Sequence, residues 1–346
     1  MKEPGKPALR EGSGKVKTRL RKKKISYICR FCRLCTAVFL LCLFAVGTMA
    51  QRADAEDTVH VVTTIFPLWD WTRNITEGAE NVELTWLQDN GTDLHSFQAD
   101  AQDMLTISSC DVFVLVGGES DRWTGDVLKS AASDERQVLT LLDAADTVRL
   151  EEEEAEGMQP EEAEEEGESY DEHIWLSVRN ARAACRAIAD ALCAADPGQE
   201  ELYRKNAKAY DESLAALDEA YQKAVSDSPG DTLLFADRFP FLYMIRDYSL
   251  KYYAAFSGCS AETEASFETV AFLIDKVNEE NLSSVVVLEG SDQKLADTII
   301  ENSASKDQRI VVMNAMQNVT KEDVQEGMTY LSAMEDNLEA LKQALS

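Results

Sequence analysis

QEELYRKNAKAYDESLAALDEAYQKAVS, residues 199–226, carries apolar residues at helical spacing: Leu202, Ala207, Leu214, Leu217, Ala220, Tyr221 and Ala224. Side chains three and four positions apart share one face of a helix. The stretch therefore predicts a single helix with one apolar stripe, about 40 Å long at 1.5 Å per residue. Pro197 marks its start and Ser228-Pro229-Gly230 its end. Short apolar strands alternate with helices on both sides of it, which makes it a connector between two lobes.

Before the connector, strands are expected over residues 60–66, 82–86, 111–116 and 137–141, with helices over 69–77, 98–109 and 178–194. After it, strands over 232–236, 252–256, 284–288 and 309–313 alternate with helices over 239–248, 266–278, 293–302 and 321 to the end. Alternation of this kind indicates parallel α/β construction. The expected fold is α/β: two lobes, each with a small mostly parallel sheet flanked by helices, joined by one long rigid helix. The expected boundaries are a leader at 1–55, a first lobe at 56–197, the bridging helix at 198–228 and a second lobe at 229–346.

The leader reads as an export signal. Lys15 to Arg33 is strongly basic, Thr36 to Met49 is mostly apolar, and small residues follow up to Ala50 or Ala55. That is the layout of a secretory signal peptide. The apolar run is short against the roughly 20 residues of a membrane span, so cleavage is favoured over tethering through an uncleaved leader. Cys42 lacks the small residue before it that lipid attachment requires. The whole chain carries a formal charge of −29. Residues 1–50 hold 12 Lys/Arg and two Asp/Glu, leaving 22 basic against 61 acidic residues, near −39. Such a field attracts cations and argues against nucleic acid as a partner. Cys110, Cys185, Cys193 and Cys259 show no metal-binding spacing and read as buried small hydrophobes. Residues 151–172, dense in glutamate, read as a solvated insertion with little to bury.

Histidine is rare, at three residues in the chain. His60 opens the first strand and reads as structural. His95 lies in Asp-Leu-His-Ser-Phe (93–97) and His173 in Asp-Glu-His-Ile-Trp-Leu (171–176). Neutral imidazole is the commonest metal ligand, and a neighbouring carboxylate can orient the ring. If their loops converge, the two make half of a metal site.

Three segments resemble one family. They are His95 with the following acidic-rich helix and Ser109-Cys-Asp-Val-Phe-Val-Leu-Val-Gly-Gly; Asp171-Glu-His-Ile-Trp-Leu; and Tyr203-Arg-Lys-Asn-Ala-Lys-Ala-Tyr with Leu214 and Leu217. In this order they are similar to metal-binding extracytoplasmic receptors of ABC importers, the zinc and manganese type with a rigid bridging helix. The resemblance covers nearly all of residues 58–346.

The resemblance implies His95 and His173 as ligands. The family's third ligand, in a pattern like His-x-Pro-Phe-x-Tyr, falls on Arg238 of Arg238-Phe-Pro-Phe-Leu-Tyr, and a guanidinium has no lone pair for a metal. A shifted alignment offers Asp237. The fourth position, an acid after strand 285–288, falls on Asp292 or Glu289, and Glu264 matches a supporting glutamate. Asp292 also fits a helix N-cap before Gln293-Lys-Leu-Ala. The resemblance further implies a non-catalytic, monomeric receptor that carries zinc, or next manganese, to a membrane permease. Two other readings stand beside it. One is a secreted zinc metalloenzyme, although the chain has no His-Glu-x-x-His or Gly-x-Ser-x-Gly segment. The other is an adhesion or scaffold protein whose metal site has decayed, which Arg238 would explain.

Overall fold

A computed structural model describes residues 58–346 except 131–135, 145, 147, 149, 151–154, 160–169 and 259–263. The expected leader, Cys259 and most of the acidic insertion lie outside the described residues.

Each lobe is built on four parallel strands. In the first, β1 (Val59–Thr63), β2 (Val82–Trp86), β3 (Val112–Leu115) and β4 (Gln137–Thr140) are ordered β2-β1-β3-β4. In the second, β5 (Thr232–Phe239), β6 (Lys251–Ser257), β7 (Ser284–Leu288) and β8 (Arg309–Met313) are ordered β6-β5-β7-β8. Central strands of a parallel sheet are covered on both faces and read as continuous apolar runs. Val-Phe-Val-Leu of β3 and Ser-Val-Val-Val-Leu of β7 are buried at every position.

The helices of the first lobe are α1 (Phe66–Ile75), α2 (Ala101–Ser109), α3 (Thr124–Ser130) and α4 (Val178–Ala195). The connector is α5, Glu200–Asp227, one residue displaced from the sequence expectation. It buries Tyr203, Ala207, Tyr210, Leu214, Leu217, Tyr221 and Ala224, a single stripe at spacings of three and four. Helices α6 (Leu242–Tyr248), α7 (Phe267–Glu279), α8 (Lys294–Asn302), α9 (Lys321–Gln325) and α10 (Tyr330–Ala344) complete the second lobe. Among the described residues no helix is long and apolar enough to cross a membrane.

The lobes are welded rather than hinged. One apolar core runs from Val61, Trp71 and Val112 through the α5 stripe to Leu233, Phe235 and Met313. Buried hydrogen bonds cross the same boundary: Trp175 Nε1–H donates to Ala315 O at 2.9 Å, and Tyr330 Oη–H to Trp175 O at 2.7 Å. The Tyr330 amide donates to Asp70 Oδ2 at 3.1 Å. Separating the lobes would expose that core and strand those polar groups.

Some bounds shift, with Phe66 opening α1 rather than ending a strand and Phe239 ending β5 rather than opening a helix, and three larger features differ from the sequence expectation. The terminal helix is two helices, because Gly327 takes φ +107 and Thr329 starts α10 afresh with a capping box. Helix α3 was not foreseen. The acidic insertion is not wholly solvated: Ala155–Gln159 seats on the second lobe, where Met158 is buried. The Gln159 amide donates to Ala255 O at 2.8 Å, and its Oε1 accepts from the Ser266 amide at 2.8 Å.

Candidate metal site

Chain at the carboxyl ends of β2, β5, β7 and β8 lines one cleft. In both sheets the chain reverses its direction of winding beside the first strand, between β1 and β3 and between β5 and β7. Crevices outside the carboxyl ends at such switch points are where open α/β sheets bind ligands. His95 follows β2, Ser120 follows β3, His173 follows β4, Gly258 follows β6, Glu289 follows β7 and Gln317 follows β8. The cleft encloses about 560 Å³ and is lined by Asp93 and Ser96 from one lobe and Asp237, Arg238, Glu289 and Asn318 from the other.

His95 stands on a short 3-10 turn, Leu94–Ser96, that Asp93 caps: its Oδ1 accepts from the His95 amide at 2.9 Å. His173 is fully buried, just before the buried turn Ile174–Leu176. Asp171 Oδ1 accepts from both the His173 amide, at 2.8 Å, and ring Nδ1–H, at 3.0 Å. A carboxylate there assigns the ring proton to Nδ1 and leaves a lone pair on Nε2. The His95 ring is arranged alike. Its Nδ1 lies 2.8 Å from Ser120 Oγ and 3.6 Å from Glu172 Oε2, and a proton on Nδ1 satisfies both oxygens and leaves Nε2 its lone pair.

The two Nε2 atoms then face each other at 3.2 Å. With both protons on the Nδ1 side, two lone pairs point into one small volume, an arrangement that a bound cation relieves. Zinc–nitrogen bonds of about 2.0–2.1 Å at the tetrahedral angle place two nitrogens about 3.3 Å apart. The separation already present is within a few tenths of an ångström of that. Gly258 makes room for the arrangement, since a Cβ there would stand 2.9 Å from both His173 Cε1 and Phe239 O.

Electrostatics favour the ligating form. Burial, reinforced by His173 and Arg238 and opposed by Asp93, pushes His95 down to about 4. It is therefore neutral at pH 7, and no proton needs to leave before a metal binds. Beneath it, burial pushes Glu172 up, opposed mainly by its hydrogen bonds from Ser120. Burial also pushes Asp121 up to about 7, with the Gly117 amide opposing and Glu172 adding to the rise.

Of the sequence candidates, the structure brings His95 and His173 together and leaves the acids apart from them. Asp237 spends both oxygens on backbone, Oδ1 on the Arg238 amide at 2.9 Å and Oδ2 on the Leu288 amide at 3.2 Å. Glu289 Oε2 accepts from the Ala315 amide at 2.8 Å, holding the loop after β8. Burial raises its pKa. Asp292 is exposed, ion-paired with Lys294, and its Oδ1 accepts from the Lys294 amide at the start of α8. Glu264 is exposed. Among the described residues no three His, Cys, Asp or Glu side chains converge as a metal cluster.

Gln317 was missed by sequence reasoning. It is buried, and its Nε2 lies 2.9 Å from His173 Nε2, so the amide donates into the imidazole lone pair. Turned about its last torsion, the amide would offer Oε1 instead. Arg238 reaches across the cleft, with both terminal nitrogens 3.2 Å from Asp93 Oδ2.

Comparison with known proteins adds an independent line. The family model described as "Zinc-uptake complex component A periplasmic" matches residues 61–344. Zinc-binding lipoprotein AdcA of Streptococcus pneumoniae is 31% identical over 306 residues, covering 88% of this chain and 59% of that protein. The chain thus spans about three fifths of the length of such streptococcal relatives. High-affinity zinc uptake system protein ZnuA of Bacillus subtilis is 28% identical over 312 residues, covering 89% of this chain and 95% of that one. The crystal structure of the Zn(II)-bound ZnuA-like domain of Streptococcus pneumoniae AdcA superposes with a TM-score of 0.67 at 27% identity, covering 83% of this chain and 99% of that one.

Proposed function

The chain belongs to the family of zinc-uptake complex component A, and we propose on that premise that it is an extracytoplasmic receptor handing zinc to an ABC importer permease. The observation that carries the reading is the 3.2 Å approach of the two imidazole Nε2 atoms. His95 and His173 supply nitrogen donors through Nε2. Gln317 contributes its Oε1 once the amide has turned, and the remaining position is left to water or to a carboxylate of the cleft. Asp171, Ser120 and Glu172 orient the rings and keep their protons away from the cargo.

Zinc fits this donor set better than manganese, the second cargo of the family resemblance. Imidazole suits zinc, whereas manganese prefers a shell of oxygen donors, and Asp237 and Asp292 are engaged elsewhere. The welded lobes suit a receptor that takes up and releases its cargo by small side-chain and loop movements.

The protein acts as a receptor and not as an enzyme on this reading. A zinc hydrolase needs a general base beside the metal-bound water, and Glu172 lies on the Nδ1 side of His95, behind the ring. A decayed site is disfavoured too, since the hydrogen bonds that orient both rings are intact. Isothermal titration with zinc tests the proposal. His95→Ala and His173→Ala should each weaken binding by at least about tenfold, or 1.4 kcal/mol. Unchanged affinity in both variants would overturn it.

A further inference from the structure

Asp93 is the cleft acid that shares a turn with His95, and both of its oxygens are engaged. It lies two residues before His95 and lines the cleft. Its two oxygens have separate tasks: Oδ1 caps the turn that carries His95, while Oδ2 faces the second lobe and receives both terminal nitrogens of Arg238. The guanidinium side chain is 25% exposed and the carboxylate 14%, so the pair has a path to solvent from the Arg238 side. Arg238 thus sets a positive charge on the residue that holds the His95 turn. Of the neighbouring carboxylates, Asp237 is tied to two amides and Asp292 to Lys294, while Glu289 holds the Ala315 amide through Oε2.

We propose that Arg238 is a tethered cation that masks Asp93 Oδ2 and competes with the incoming metal for it, which makes Asp93 and Arg238 together the residues that set the affinity of the cleft. The inference rests on the zinc-receptor reading. When the guanidinium swings towards solvent, Oδ2 becomes a third anionic contact for the metal. When it swings back, the carboxylate is neutralised and a positive charge returns beside the cargo. Both steps move charge without moving the lobes, in keeping with the shared core. Asp93 Oδ1 keeps its hold on the His95 turn throughout.

Competition titration of zinc against a chromophoric chelator tests this on the full chain. Arg238→Gln should tighten zinc by about tenfold or more, since a neutral side chain unmasks the carboxylate and removes a like charge. Arg238→Met, a second neutral variant, carries the same expectation should the first fail to fold. Arg238→Lys retains the charge and should stay within about threefold of wild type. Asp93→Asn keeps an oxygen for the His95 amide but removes the anionic contact and leaves Arg238 unneutralised, so by itself it should weaken zinc by about threefold or more. Combined with Arg238→Gln it should return affinity to within about threefold of wild type. No gain in either neutral variant, the same gain in Arg238→Lys, or a gain that survives Asp93→Asn would each overturn the proposal. A wild-type chain that binds no zinc would overturn the receptor reading itself.

Discussion

Asp171→Asn isolates the orientation of His173 from its mere presence. In the protein as it stands, one carboxylate oxygen accepts from both the His173 amide at 2.8 Å and Nδ1–H at 3.0 Å, in a buried setting. Asparagine keeps the shape and can still accept through one oxygen, but it is neutral. Hydrogen bonds to charged groups contribute about 1.5–3 kcal/mol and neutral ones about 0.5–1.5 kcal/mol. The expected loss in holding the ring is therefore about 1–1.5 kcal/mol, or about tenfold in zinc affinity. That agrees with the lower end of the 10–100-fold range, about 1.4–2.7 kcal/mol, found for partners one shell behind a metal ligand. The backbone of Asp171 is also held, since its carbonyl accepts from Tyr243 Oη at 2.6 Å, so the loop should keep its path. The assay is zinc titration by calorimetry alongside thermal unfolding of the metal-free protein. Affinity equal to wild type would refute the assignment of the Nδ1 proton and the pairing of lone pairs that follows from it.

Three further perturbations probe the same construction. His95 takes its proton at about 4 in the fold against an ordinary 6.5. The unfolded chain therefore binds the extra proton first, and as pH falls from 6.5 towards 4 this residue removes up to about 3 kcal/mol of stability. Asp121, pushed up to about 7, works in the opposite direction, losing stability as pH rises from 3.8 to about 7. The difference between the pH–stability profiles of wild type and His95→Gln isolates the histidine, and it should favour the variant increasingly below pH 6.5; parallel profiles would contradict the assignment. Met158→Ala should cost about 2 kcal/mol in denaturant unfolding, because the side chain is buried where the acidic insertion seats on the second lobe; a change within error would show that the segment contributes no packing. Gly258→Ala places a Cβ 2.9 Å from a backbone carbonyl and from the His173 ring, so zinc affinity should fall by about tenfold, and unchanged affinity would show that the strand end yields without disturbing the ring.

What could be read from the chain, and what could not, follows from how strongly each feature is tied to local pattern. Continuous apolar runs such as Val112–Leu115 and Ser284–Leu288 have few ways to be satisfied other than in a covered parallel sheet. The stripe from Tyr203 to Ala224 similarly leaves one choice for the bridging helix. The break at Gly327 was hidden in a run of good helix formers, because its positive φ is imposed by the turn between α9 and α10. Asp-Leu-His and Asp-Glu-His carried their meaning in three residues each, with an acid two residues before the histidine accepting from its amide. Arg238, Asp237, Glu289 and Asp292 could not be sorted by sequence, since each is a charged residue near a strand end. All four line the cleft, and what each is free to do there depends on pairings with Asp93, Leu288, Ala315 and Lys294. Gln317 had no charge to draw notice, and only the return of the chain after β8 sets it against His173.

The most direct test is a crystal structure of the zinc-loaded protein, with anomalous data collected at the zinc edge. The expected result is one strong peak about 2.0–2.1 Å from both His95 Nε2 and His173 Nε2, with the Gln317 amide turned away from its present contact. A peak at Glu289, Asp292 or elsewhere, with the two imidazoles still facing each other without metal, would contradict the account.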